Sequence, residues 1–296
     1  MSGFGRTEGA IEDREGKRMR FLWLVTAIAP LALASAPAFA VDTLDIQHCQ
    51  QMGDADLTIQ GCGNIAADKS VDPHDRAVAA FNLGIGYYAK NDLDNSIKAW
   101  TEATTFEPGY AHAYNNLAKA YLAEENFAKA ISNYDEAVKL DPKHALSYKG
   151  RGIAEFLSGG KEKAEADFQQ VLALTPSDTY ALLWLELTKR RLGAKPSDLA
   201  KASTQVNMGA WPGPLVLLYA GQSTPHDVII AAQHVDQKIS KARMCDVGFY
   251  AGELSLADGD KDEAIKLFNH ALDVCFNSVE ERTAATVELK ALGEKD

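Results

Sequence analysis

The sequence predicts an all-α fold of stacked helical hairpins, and three observations carry that prediction. Pro108, Pro142 and Pro176 stand 34 residues apart, twice in succession. Small residues recur at fixed offsets: Gly84, Ala118 and Gly152 in one slot, Ser96, Ala130 and Ala164 in another. An aromatic slot holds Trp100, Tyr134 and Phe168, and a last small or apolar slot holds Ala103, Ala137 and Val171. Where helices cross closely, only Gly, Ala or Ser lets the backbones meet, and large neighbours fill the holes beside them. A fixed period of this kind means units that bury their faces against one another.

Residues 1–40 are set aside first. Arg14, Lys17, Arg18 and Arg20 precede an apolar run from Phe21 to Ala34, and Ala38-Phe39-Ala40 follows it. A basic start, a short apolar core and small residues at the cut are the marks of a secretory signal peptide, with cleavage expected after Ala40. Met1 and Met19 are both candidate starts. The run is shorter than the ~20 residues that a spanning helix needs. No cysteine closes it to carry a lipid, so no stable membrane insertion is expected after cleavage.

Residues 41–76 read as a helical cap, in which Asp54-Ala55-Asp56 starts a short helix that carries Cys62 against Cys49. Residues 77–178 hold three repeats. Asn91-Asp92, Glu125-Asn126 and Gly159-Gly160 write the turn inside each hairpin, and each proline stops a second helix. These slots resemble the tetratricopeptide repeat (TPR) family, which implies two antiparallel helices per repeat.

In residues 179–244 the beat is lost. Tyr180 to Gly193 reads as a lone first helix, Pro196-Ser197-Asp198 caps a short helix from Leu199 to Val206, and Trp211-Pro212-Gly213-Pro214 launches a helix from Leu215 to Ala220. Thr224-Pro225 caps another running to about Lys241. In residues 245–296 the slots return as Phe249, Gly252, Leu256, Gly259-Asp260, Ala264, Phe268 and Ala271, a fourth TPR-like unit with Phe276 where the proline would be. A helix from Thr283 to Leu292 is expected to cover its exposed core face. The four cysteines allow three pairings. The register favours Cys245 with Cys275, at the opening of one helix and the end of the next, where antiparallel packing brings them together; Cys49–Cys62 would tie the cap.

A narrower likeness sits in the last third. Trp211-Pro212-Gly213-Pro214, Phe249-Tyr250-Ala251-Gly252-Glu253, Ala264-Ile265 and Leu289-Lys290-Ala291-Leu292 resemble NlpI-like periplasmic TPR scaffold proteins. That likeness implies a Gram-negative envelope adaptor that holds peptidoglycan hydrolases and their regulators or proteases; the missing lipidated cysteine departs from the family. The segment Asp56 to Cys62 likewise is similar to the N-terminal cap of exported TPR proteins of alphaproteobacteria.

Charge narrows the partners. The net charge is −11, and removing residues 1–40 takes it to about −12. Such a chain repels phosphate backbones and anionic membranes, so nucleic acid is excluded as a partner. The histidines are scattered, and His226 and His234 would lie about 12 Å apart on a helix by its ~1.5 Å rise, too far for one metal. Gly221-Gln222-Ser223 lacks the second glycine of a nucleophile elbow, and Asp258-Gly259-Asp260 coincides with a repeat turn and lacks a calcium loop's spacing. Neither an enzyme, a cofactor nor a metal site is expected.

Partner-binding positions follow from the repeat register. In a TPR stack the first helices line a concave groove, and the resemblance places Phe81, Ile85 and Tyr88, then Asn115, Lys119 and Leu122, then Lys149, Ile153 and Phe156 on it. TPR domains that grip a carboxylate use Lys and Asn where this chain has Phe81 and Ile85. The strip suits instead a helical or extended apolar segment of another protein. An occupant from within the chain, either the helix after Tyr180 or the stretch near Leu215, is the competing expectation, and a homodimer stays open. The reading is a periplasmic or secreted scaffold, with a secretion or outer-membrane assembly factor as the alternative.

Overall fold

A computed structural model describes residues 42–194, 199, 206–275 and 279–294. The signal peptide, nearly all of the helix expected at Leu199–Val206, and Phe276 lie outside the described residues. Within them the chain is fourteen helices with no strand.

A cap of α1 (Thr43–Gln50) and α2 (Ala55–Ala67) precedes three hairpins: α3 (Pro73–Ala89) with α4 (Leu93–Phe106), α5 (Ala111–Ala123) with α6 (Phe127–Leu140), and α7 (Ala145–Leu157) with α8 (Lys161–Leu174). Short polar side chains set the starts. Asp54, Asp72, Asp92 and Asn126 each accept a hydrogen bond from a first-turn N–H, which satisfies one of the donors that a helix leaves open. With Pro73 at its first position, α3 begins four residues ahead of the repeat boundary drawn from sequence.

The turn inside each hairpin uses one left-handed residue: Asn91 at φ 60°, Glu125 at 56° and Gly159 at 95°. Glycine takes that conformation without penalty and asparagine tolerates it, whereas Glu125 holds it at a cost of roughly 1–2 kcal/mol. The small slots behave as their composition demands. A side chain at Gly84 would collide with the Trp100 indole, whose Nε1 donates to the Phe81 carbonyl at 3.0 Å. A Cβ at Gly152 would stand 2.9 Å from Phe168.

The cap is tied by Cys49–Cys62, with Cα atoms 4.6 Å apart. It rests on the first repeat, where a Cβ at Gly86 would lie 3.0 Å from Ile59.

After the repeats come α9 (Thr179–Arg191), α10 (Gly213–Tyr219), α11 (Pro225–Ala232), α12 (Gln237–Ala257), α13 (Lys261–Val274) and α14 (Val279–Leu292). The helix expected from Pro225 to about Lys241 is in fact two. Thr224 and Asp227 form a capping box on α11, but the chain then turns a corner: His234 Nδ1 accepts from the Asp236 N–H at 3.0 Å, and Asp236 caps α12. Cys245 therefore lies inside α12 rather than at its opening. It still meets Cys275, the C-cap of α13, with Cα atoms 5.0 Å apart. The fourth unit repeats the first three: Gly259 makes the left-handed turn at φ 86°, and a Cβ at Gly252 would press on Phe268 at 2.6 Å.

Trp184 on α9 joins the repeats to the extension. Its ring stacks on Phe168 at 5.9 Å and meets Phe156 at 5.6 Å and Phe249 at 5.2 Å. These rings belong to one core that runs from Ala118 to Leu289.

Candidate functional site

Of the first helices of the repeats, α3, α5 and α7, two are met by α14. It packs on α13 of the fourth unit, as expected, and also on α5 and α7. Two ion pairs pin it there, Lys119 to Glu280 at 3.6 Å and Lys290 to Glu125 at 2.8 Å. Among the described residues the chain itself covers part of the expected strip in two ways: α14 packs on α5 and α7, and α9, the helix after Tyr180, sets Trp184 against Phe156.

This placement divides the nine expected groove residues. Leu122, Ile153 and Phe156 are 0%, 1% and 5% exposed and belong to the core, so they offer a partner no surface. For Phe156 the cover is Trp184 of α9, whose ring meets it at 5.6 Å. Asn115 is half-buried and accepts from the Ser147 hydroxyl at 3.0 Å. Lys119 is taken by Glu280, and Lys149 by Asp178 at 3.0 Å. Phe81, Ile85 and Tyr88 on α3 remain half-buried. Phe81 leans on Tyr110 with ring centroids 5.1 Å apart, and Tyr88 on Trp100 at 5.6 Å. The Tyr88 hydroxyl is buried without a hydrogen-bond partner, and burial, reinforced by the Glu280 charge, pushes its pKa well up.

Behind α14 lies a cavity of about 260 Å³. It is lined by Lys149 and Ile153 of α7, Tyr180 and Trp184 of α9, Asp246 of α12, and Glu280 and Glu281 of α14. Asp246 is 4% exposed and its Oδ2 accepts from the Tyr180 hydroxyl and the Trp211 Nε1, each at 2.7 Å. Burial raises its pKa to about 6 against those two donors. Glu281 is 7% exposed, and burial with the Asp246 and Glu280 charges drives its pKa well up.

Sequence reasoning missed this cavity. Asp246 carries one faint signal, a lone charge within Cys245-Asp246-Val247-Gly248-Phe249-Tyr250. Glu281 carries none, since it sits in a run of charged residues that reads as a solvated face. No group of three or more His, Cys, Asp or Glu among the described residues could hold a metal ion, and none of their helices is long and apolar enough to cross a membrane.

Residues 81–145 and 115–179 match the family described as tetratricopeptide repeat. A search of curated proteins finds no match. Among solved structures, a tetratricopeptide repeat protein from Parabacteroides merdae is 14% identical, covers 82% of this chain and 98% of its own, and superposes with a TM-score of 0.52. The first TPR of Spaghetti (RPAP3), bound to the HSP90 peptide SRMEEVD, is 28% identical over 42% of this chain and all of its own, with a TM-score of 0.40. The second TPR domain of human RPAP3, in complex with the HSP70 peptide SGPTIEEVD, is 26% identical over 40% of this chain and 98% of its own, with a TM-score of 0.39. Family match, hairpin geometry and the solenoid neighbour agree: residues 81–179 match the tetratricopeptide repeat model, and the fold is an all-helical solenoid like that neighbour, continued by a disulfide-tied extension.

Proposed function

We propose that this chain is an exported scaffold, without chemistry of its own, that holds segments of other proteins on the concave face of its repeats. The observation that carries the reading is α14, a helix received by the channel over α5 and α7. Beside it Phe81, Ile85 and Tyr88 continue the strip on α3 in half-buried form. A partner helix or extended segment laid there would bury apolar surface worth about 1.5–3 kcal/mol for each large side chain fully covered. Lys119 and Lys149 already have carboxylate partners, so the strip favours apolar over acidic ligands.

Two disulfides support a compartment that is oxidising, as the export signal also requires. Together with the NlpI-like residues, they favour the periplasm and a role in organising envelope enzymes.

The test is photo-cross-linking from position 88 in living cells, followed by affinity capture with wild type and Phe81→Asp. The expected result is a discrete adduct with another protein, lost in Phe81→Asp while the circular dichroism spectrum at the assay temperature still shows a folded helical chain. Equal capture by both forms, or digestion of cell wall by the purified chain alone, would overturn the reading.

A further inference from the structure

We propose that the cavity behind α14 binds an organic cation, an alkylammonium or guanidinium group, between the carboxylates of Asp246 and Glu281 and beside the rings of Trp184 and Tyr180. The inference does not rest on the groove reading, because its residues are not those of the α3 strip.

Six carboxylates are buried among the described residues, and four have a cation in contact. Asp167 is bound by Arg151 at 2.7 Å, Glu186 by Arg190 at 3.0 Å, Glu253 by Arg191 at 2.7 Å and Glu155 by Lys163 at 3.2 Å. This is what burial demands, since a carboxylate removed from water without a partner is costly. The exceptions are Asp246 and Glu281, and both line the same cavity.

Among the described residues neither carboxylate forms an ion pair. Asp246 receives two neutral donors, both on Oδ2, and no donor among the described residues reaches Oδ1. Among those residues the Glu281 carboxylate accepts from its own backbone N–H and from no side chain. The charge of Lys149 is felt by Glu281, but its ammonium is bonded to Asp178. Space and walls agree with this reading. The volume of about 260 Å³ exceeds the ~30 Å³ share of one water several-fold. Aromatic side chains beside two carboxylates form a setting that suits a weakly hydrated organic cation, which loses less on leaving water than a compact ion does. A metal ion is not favoured, because the described residues offer no three-ligand group.

The test is calorimetric titration of the mature chain with n-butylguanidinium and n-butylammonium, with butanol as the neutral control and calcium as the metal control. The peptides Gly-Gly-Arg-Gly-Gly and Gly-Gly-Lys-Gly-Gly form a further arm. One-to-one binding of at least one organic cation is expected, without binding of butanol. Glu281→Gln and Asp246→Asn should each weaken it by about tenfold or more, as loss of a charged hydrogen bond would, and Phe81→Asp should leave it unchanged. Glu281→Gln removes no hydrogen bond between side chains, so it remains informative if Asp246→Asn fails to fold. Peptides binding more tightly than the side-chain analogues identify the source as a basic residue of a partner; the reverse identifies a free amine. Absence of saturable binding by every cation, binding equal in Glu281→Gln, or binding of calcium alone would each overturn the proposal.

Discussion

The three repeats and the C-terminal extension bury their helices by different means. In the repeats the contacts are between backbone and ring, Gly84 against Trp100 and Gly152 against Phe168. Buried acids appear there only in the last hairpin, as Glu155 and Asp167. The extension buries Glu186, Asp246, Glu253 and Glu281 around the Trp184 cluster, and it answers two of them with arginines, one drawn from 62 positions away. A unit that tiles can solve its packing once and repeat it. A segment that folds back on the array has no such template, and it is fixed by individual long-range charge contacts.

The sharpest break of this contrast is Arg191→Met, which strands Glu253 and the half-shared Glu288. Removing one partner of a buried pair costs about 3–5 kcal/mol, so urea unfolding should show a loss of that size. Lys163→Met in the repeats, where the lysine side chain is 73% exposed, should lose no more than about 1 kcal/mol. Equal losses would erase the distinction.

Next comes the disulfide of the extension. Cys245→Ser with Cys275→Ser opens a loop with a sequence separation of 30 and should lower stability by about 3–4 kcal/mol in non-reducing melts. The shorter Cys49–Cys62 loop, with a separation of 13, should yield slightly less, about 3 kcal/mol.

Smaller is the pH dependence of Asp246, which faces Tyr180 of α9, Trp211, and Glu281 of α14, with Lys149 of α7 on the same cavity. Its pKa is raised by burial to about 6, from an ordinary value near 4. Between those values the unfolded chain binds fewer protons than the folded one, so this contribution is complete below about pH 4 and is lost as pH rises through 6. Stability of Asp246→Asn measured across that window should decline less steeply, the remainder coming from Glu253 and Glu281, whose pKa values burial also raises; an unchanged slope would assign the whole decline to other groups.

Smallest is Lys290→Ala, an exposed pair with Glu125 worth about 0.2–1 kcal/mol. Its effect should appear as faster hydrogen exchange confined to α14.

Legibility in the sequence followed the same divide. The repeats could be read because period, small slots and turn residues are local, and the hairpin register of Gly252 and Phe268 also placed Cys245 near Cys275. The break between Ala232 and Gln237 escaped because it depends on His234 and Asp236 bonding to the backbone rather than on Gly or Pro. The burial of Phe156 escaped because its register describes a repeat alone, whereas the chain sets Trp184 of the extension on it. Lys290 and Glu125 are 165 positions apart, and no periodicity spans that distance. Asp246 and Glu281 were invisible as a pair for the same reason.

The central claim is that α14 closes part of the groove of its own chain. Zero-length carbodiimide cross-linking of the native protein, read by mass spectrometry of the isolated monomer, tests it most directly. The account predicts two intramolecular links, Lys119 to Glu280 and Lys290 to Glu125. Their absence from the monomer, or the same links found only between copies, would contradict it.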